Sequence, residues 1–258
     1  MKTIFAALLL AASSVLAMPS ATAGSISDAY IGGDAHGLGD VIGSSVYDIA
    51  GATITRIGSV LTITIATNFA GHAGVEPTLA PGGIGYGDVF LSQLWNPSGT
   101  AASGYSTDNA ATGTKWSYGF ALDNRFSNTG GSFKLMKLTG STNAANVNLS
   151  DEVMTCQACE YRNGQVDTVD MRSTTVKDTG LLGSWSVIKD KSITFTLNVA
   201  SSELLNFSSF AMHWGETCQN DVIEGVVRVV PTPGTLPLLG LGLVAMVGIA
   251  RRKKALQG

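Results

Sequence analysis

The feature that most constrains the fold is a period-two alternation of apolar and polar residues that recurs along the chain. Ile193, Phe195, Leu197 and Val199 alternate with Thr194, Thr196 and Asn198. In an extended backbone successive side chains point to opposite faces, so such a run buries one face and leaves the other in water. Leu61, Ile63 and Ile65 alternate in the same way with Thr62 and Thr64, and Thr53-Ile54-Thr55 joins that run through Arg56-Ile57-Gly58-Ser59 as a hairpin. Val89 and Leu91 follow a Gly-rich approach, and Trp116, Tyr118, Phe120 and Leu122 fall on one face of a further strand. Phe133 to Leu138, then Phe210, Met212 and Trp214, then Val222 to Val230 complete the series. One helical turn is expected at Ser201 to Leu205, with Ser201 or Ser202 as N-cap. Roughly seven to ten strands with turn signals between them and no βαβ spacing predict an all-β fold, an antiparallel β-sandwich of jelly-roll-like type. Trp116, Trp185 and Trp214 belong in its core. The weakly hydrophobic stretches Asn96–Thr114 and Thr139–Ser150 read as surface loops, where binding sites concentrate.

Both ends of the chain depart from this pattern. Lys2 precedes an apolar stretch from Ile4 to Leu16, and Ala21-Thr22-Ala23 offers a small-x-small cleavage site before Gly24; Val15-Leu16-Ala17 offers an earlier one. This is the layout of a secretory signal peptide over residues 1–23. At the other end, residues 230–258 hold Val230-Pro231-Thr232-Pro233, an uncharged apolar run from Leu236 to Ala250, and the basic block Arg251-Arg252-Lys253-Lys254. As a helix with Thr235 the run reaches about 24 Å at ~1.5 Å per residue, short of a ~30 Å hydrocarbon core unless Arg and Lys snorkel. It shows no polar face, so the reading is a transmembrane helix over 236–250 with its basic end held on the cytoplasmic side of the inner membrane.

That tail resembles the PEP-CTERM sorting signal of Gram-negative bacteria, in which a Val-Pro-Glu-Pro motif, an apolar helix and a basic tail follow one another. Here Pro231, Thr232 and Pro233 stand for the motif and Arg251, Arg252, Lys253 and Lys254 for the tail, with Thr232 where the family has Glu. The resemblance implies that a membrane exosortase recognises the tail, cleaves near the Pro motif and passes the protein to the cell surface or the exopolysaccharide matrix. Two further stretches look like a recurring ectodomain type of such proteins: Gly43 upstream of Val46-Tyr47-Asp48-Ile49, and His213-Trp214 followed by Cys218 to Gly225. That likeness carries no established activity.

Between the two segments, residues 24–229 form an ectodomain long enough for one sizeable core. Removing Lys2 and the four tail cations from 16 Lys+Arg leaves 11 against 19 Asp+Glu. An acidic body of this kind excludes nucleic acid as partner and suits a periplasmic or extracellular medium. In that oxidising setting Cys156 or Cys159 is expected to bridge to Cys218, closing a long loop worth on the order of 4 kcal/mol. Thioredoxin-type chemistry at Cys156-x-x-Cys159 fits poorly, because Glu160 opposes the thiolate. Zinc on these cysteines with His213 competes with oxidation.

The remaining candidates are sparse. Asp34 and Asp40 sit in a Gly-rich loop that suits a turn or a Ca2+ site. Asp28, Asp88, Asp123 and Asp221 are single acids near strand ends. Trp95 beside Pro97-Ser98-Gly99 and Tyr105 in its loop offer flat faces for stacking on sugar rings. His213 and Glu216 share a stretch without forming a recognisable set, and no Gly-x-Ser-x-Gly, His-Glu-x-x-His or P-loop occurs. The expected function is therefore that of an exported envelope or matrix protein, structural and non-enzymatic, without a cofactor. The alternative is a carbohydrate-binding module, Ca2+-assisted, acting on extracellular polysaccharide. A polysaccharide hydrolase has no positive signal.

Overall fold

A computed structural model of the chain describes residues 21–33, 39–155 and 161–228. Its strands are Ala21–Ser27 (β1), Ile49–Ile57 (β2), Val60–Thr67 (β3), Val89–Ser92 (β4), Tyr118–Leu122 (β5), Gly130–Leu138 (β6), Val147–Leu149 (β7), Val166–Val169 (β8), Val176–Ile188 (β9), Ser192–Asn198 (β10), Ser209–Gly215 (β11) and Val222–Arg228 (β12). Ten form one sheet in the order β1-β2-β3-β10-β9-β6-β5-β4-β11-β12, and β7-β8 is a separate ribbon. The pairs are antiparallel.

The sheet turns back on itself. Its two end strands meet: a Cβ added to Gly24 would lie 2.3 Å from Val227 Cγ1, and one on Gly225 would lie 2.6 Å from Ile26 Cγ2. Glycine at both positions lets β1 and β12 approach without a hydrogen-bonded ladder between them. The enclosed face carries Ile54, Leu61, Ile63, Ile65, Phe120, Phe133, Trp185, Phe195, Met212, Trp214 and Ile223. Each such side chain contributes about 1.5–3 kcal/mol by leaving water. Phe120 stacks on Phe133 at 4.4 Å, which fixes the middle of the core.

A second apolar layer lies on the outside of one half of the sheet. Phe90, Trp116, Ala121, Met136 and Ala211 pack there against Val147, Val166 and Val169 of the ribbon. Strands β4 and β11 are thus covered on both faces, and their burial is nearly continuous. Strand β3 keeps the alternating pattern because only its inner face is covered.

Most of the alternating runs become strands. The two-residue turn Gly58-Ser59 joins β2 to β3, with Ile57 opposite Val60 and Gly58 at φ +59°. The expected helical turn is a 3-10 turn, Glu203–Asn206, capped by the Ser202 side chain on the Leu204 N–H. One expectation needs correction: Trp116 precedes β5 and packs in the outer layer, whereas Tyr118 and Phe120 face the inner core. Period two holds only once the chain is extended, and that begins at Tyr118. Among the described residues no helix is long and apolar enough to cross a membrane. Residues 236–250, the sorting motif and basic block, Asp34, Cys156 and Cys159 lie outside the described residues.

Candidate functional site

Four aspartates from three separate stretches converge at one end of the β12-β1-β2 region. Asp28 follows β1, Asp40 and Asp48 lie between β1 and β2, and Asp221 immediately precedes β12. One carboxylate oxygen from each of Asp28, Asp48 and Asp221 lies within 4.8 Å of the others. Asp221 is wholly buried and fixed: Oδ2 accepts the Ile49 N–H at 2.7 Å and Oδ1 accepts the Val222 N–H at 2.7 Å. Asp28 Oδ1 is buried without a hydrogen-bond partner. Burial, then Asp221 and Asp40, push the Asp28 carboxyl up to about 8. Burial first, with Asp40 adding to it, takes Asp221 up to about 7, although Arg162 and the Ile49 N–H pull the other way.

Arg162 is the cation near this cluster, yet it spends its donors on backbone. It is buried, and its Nη1 donates to the Gln219 and Asn220 carbonyls, its Nη2 to those of Gly39 and Asp40. The Ile42 N–H donates to the Asn220 carbonyl at 2.8 Å, and Asn220 Nδ2 returns a bond to the Ile42 carbonyl at 2.8 Å. The guanidinium thus straps the segment around residue 40 to the β11–β12 connection. Ca2+ takes oxygen ligands at about 2.3–2.6 Å, so ligands across one ion stand roughly 5 Å apart, and Asp28, Asp48 and Asp221 have that span. The cluster is chemically able either to share protons or to hold one hard cation. Nearby, Glu216 is fully buried with neither carboxylate oxygen partnered, and burial together with Asp221 raises it well above the usual range.

A second constellation lies under the loop 96–114. Trp95 and Tyr105, both half-buried, meet edge-to-face at 5.1 Å, and Tyr105 stacks on Tyr30 at 5.9 Å. Trp95 Nε1 donates to Glu224 Oε1 at 2.8 Å, and Thr114 Oγ1 donates to the same oxygen at 3.3 Å. Glu224 Oε2 meets His213 Nδ1 at 2.9 Å, while His213 Nε2 donates to the Val166 carbonyl at 3.0 Å. His213 and Glu224 are directly opposite on β11 and β12 and are 1 % and 4 % exposed. The Tyr30 hydroxyl donates to Asp108 Oδ2 at 2.7 Å, and burial followed by the nearby Glu224 takes Asp108 up to about 6. Both nitrogens of His213 are engaged inside the protein, so the pair braces two strands and the ribbon rather than presenting a base to solvent.

Above this network the two loops flagged in the sequence form a groove of about 490 Å3, lined by Asn109, Lys115, Ser141, Thr142, Asn143 and Leu149 among others. Asn143 ties it together, donating from Nδ2 to the Ala110 and Thr114 carbonyls at 2.9 Å each.

Trp95 and Tyr105 are brought together, but Trp95 has its polar edge turned inward. Asp40 joins an acid cluster whose other members are Asp28, Asp48 and Asp221. Cys218 is buried with a free thiol that burial raises well above its ordinary value; among the described residues there is no disulfide, and the partners expected for it lie outside them. His213 points to the outer layer and pairs with Glu224, not with Glu216. The sequence signal for that pair is the antiparallel register across the hairpin. Trp116, Trp185 and Trp214 are buried as expected. The chain matches no protein-family model, no curated protein and no solved structure.

Proposed function

We propose that this is an exported, non-enzymatic protein of the cell envelope or exopolysaccharide matrix, sorted by its PEP-CTERM-like tail through an exosortase. Its body, in this reading, is a jelly-roll-like sandwich held by one end. The observation that supports it is the placement of the body's two ends. Gly24 lies against Val227 and Ile26 against Gly225, so β1 and β12 run in opposite directions side by side. Ala21 and Arg228 therefore leave the body at the same end, the arrangement expected of a domain delivered and tethered from one side. Fractionation of cells carrying an exosortase tests it: the chain should appear at the surface or in the matrix, shortened at both termini by intact mass. A product found only in the cytoplasm refutes it.

A second reading, a carbohydrate-binding module, draws on the polar groove beside Trp95 and Tyr105, with Ca2+ at the aspartate cluster as its stabiliser. Polar groups lining an open groove of this size suit a few sugar units. A glycan array with and without EDTA, repeated with Trp95→Ala, tests it; no retention on any glycan counts against it.

A further inference from the structure

The outer layer covers only one half of the rolled sheet, and the other half carries a regular hydroxyl face. Four neighbouring strands each place a hydroxyl-x-hydroxyl triplet there: Thr53-Ile54-Thr55 on β2, Thr62-Ile63-Thr64 on β3, Thr194-Phe195-Thr196 on β10 and Ser184-Trp185-Ser186 on β9. The central residue of each triplet is buried in the core, so the flanking hydroxyl residues point outward. The registers align them in two rows. One runs Thr53, Thr64, Thr194, Ser186; the other runs Thr55, Thr62, Thr196, Ser184. Ser25 of β1 extends the first row and Ser132 of β6 the second. Ser25, Thr53, Ser132, Ser184 and Ser186 are exposed, and Thr55, Thr62, Thr64, Thr194 and Thr196 are half-buried.

Strand geometry sets the array: roughly 4.8 Å between neighbours in a row and about 6.7 Å between rows. No ionisable side chain stands at the eight triplet positions; at the β6 end the Ser132 hydroxyl donates to Asp123 Oδ2 at 2.8 Å. The next outward positions, Val60 and Asn198 at one end and Ala66 and Ser192 at the other, are also uncharged. Threonine is a good strand former, which accounts for one or two such residues. It does not account for hydroxyls at all eight positions, since a solvent-facing sheet ordinarily carries Lys and Glu. Thr64 Oγ1 and Thr194 Oγ1 are 3.2 Å apart, so one hydroxyl steers the next and each keeps a lone pair for a partner.

We propose that this face binds an extended, uncharged polysaccharide laid along the hydroxyl rows. The charge pattern selects the partner: a neutral patch on a chain of net charge −3 offers nothing to an anionic polymer. Sugar hydroxyls donate and accept as Thr and Ser do, and the spacing within a row is close to the advance of one pyranose along an extended β-linked chain. A single hydroxyl pair barely outcompetes water, so binding arises from repetition along the row. The inference rests on the exported-matrix reading only for where such a polymer is met; localisation and binding by purified protein fail separately.

The test is sedimentation of the purified full chain with microcrystalline cellulose, with alginate beads and an ice surface as comparators. Retention on cellulose should survive 1 M salt, because uncharged contacts are not screened. Thr64→Glu with Thr194→Glu should weaken it at least about tenfold, and Thr64→Val with Thr194→Val, which keeps shape and strand propensity, severalfold. Unchanged melting curves establish that the variants fold. Leu94→Ala, an exposed side chain after β4 and outside both rows, should leave retention unchanged. Retention by both double variants, an equal loss with Leu94→Ala, preference for alginate or for ice, or no retention on cellulose would each overturn the proposal.

Discussion

Replacing Asp28 by Asn should stabilise the protein most at alkaline pH, and progressively less as pH falls toward 4. In the folded chain Asp28 titrates at about 8 and Asp221 at about 7, against an ordinary 3.8. The folded state therefore holds protons that the unfolded chain has already released. Stability contributed by those protons is complete below pH 4 and is lost as pH rises to 7–8. Taken at face value the Asp28 value corresponds to more than about 5 kcal/mol. Solvent screens this half-buried group, however, and it shares its proton with Asp221, so about 2 kcal/mol is the working figure. Because the loss is spread from about pH 4 to pH 8, roughly 1.2 kcal/mol of it falls between pH 5.5 and pH 8.5, a drop of about 2–5 °C in Tm for a domain of this size. Asp28 suits the substitution because its Oδ1 has no partner to lose. Circular-dichroism melts in chelator-treated buffer should show the fall in the wild type and a flattened profile in Asp28→Asn. Ca2+ at ten times its Kd should restore about 1.4 kcal/mol to the wild type at pH 8.5 and little to the variant. A wild-type Tm constant between the two pH values, or an Asp28→Asn profile parallel to the wild type, would refute the electrostatic argument.

Arg162→Lys should cost about 3 kcal/mol in urea unfolding, because one ammonium cannot reach the four carbonyls the planar guanidinium holds; a change under 1 kcal/mol would remove its strapping role. His213→Ala should cost about 3–5 kcal/mol by leaving Glu224 Oε2 and the Val166 carbonyl buried without their shared partner. His213→Ala with Glu224→Gln should recover part of that loss, read from the urea midpoints. If the chain is exported as proposed, its new N-terminus should follow the earlier cleavage site, after Ala17. A cut before Gly24 removes the pairs Ala21–Ile57, Thr22–Arg56 and Ala23–Thr55 from a seven-pair ladder, and intact mass distinguishes the two.

The strands easiest to read in the sequence are those with one face in water. β3 and β10 alternate cleanly because Thr62, Thr64, Thr194 and Thr196 remain outside while Ile63 and Phe195 go in. β8 is buried along its whole length and β7 has only three residues, so neither carries a periodic signal. β1 is small and polar, ATAGSIS, and the same small residues read as a protease site. The stretch 96–114 and the first part of 139–150 were legible as loops and do meet in a groove, but 147–149 forms β7, and nothing local tells that Trp95 turns its edge toward Glu224. The aspartate cluster is less legible still. Asp28, Asp48 and Asp221 each look like ordinary strand-end acids, and only the rolling of the sheet brings them within 4.8 Å.

That rolling also explains why the cluster sits where it does. The seam between β1 and β12 has no backbone ladder; close glycine contacts hold its length. Asp28 stands one residue beyond the end of β1, Asp221 one residue before β12 and Asp48 one residue before β2. Since β1 and β12 run antiparallel, all three cap the end of the seam opposite Ala21 and Arg228. One end of the seam is thus marked by Ala21 and Arg228, and the other is closed by carboxylates that repel one another unless a proton or a cation sits between them. A sheet edge that is not hydrogen-bonded to its neighbour separates more readily than a paired one, so the far end is where opening should begin when pH rises or a cation is withdrawn. Asp221 couples this closure to the rest of the roll, because the same side chain that faces Asp28 also receives the Ile49 N–H at the start of β2.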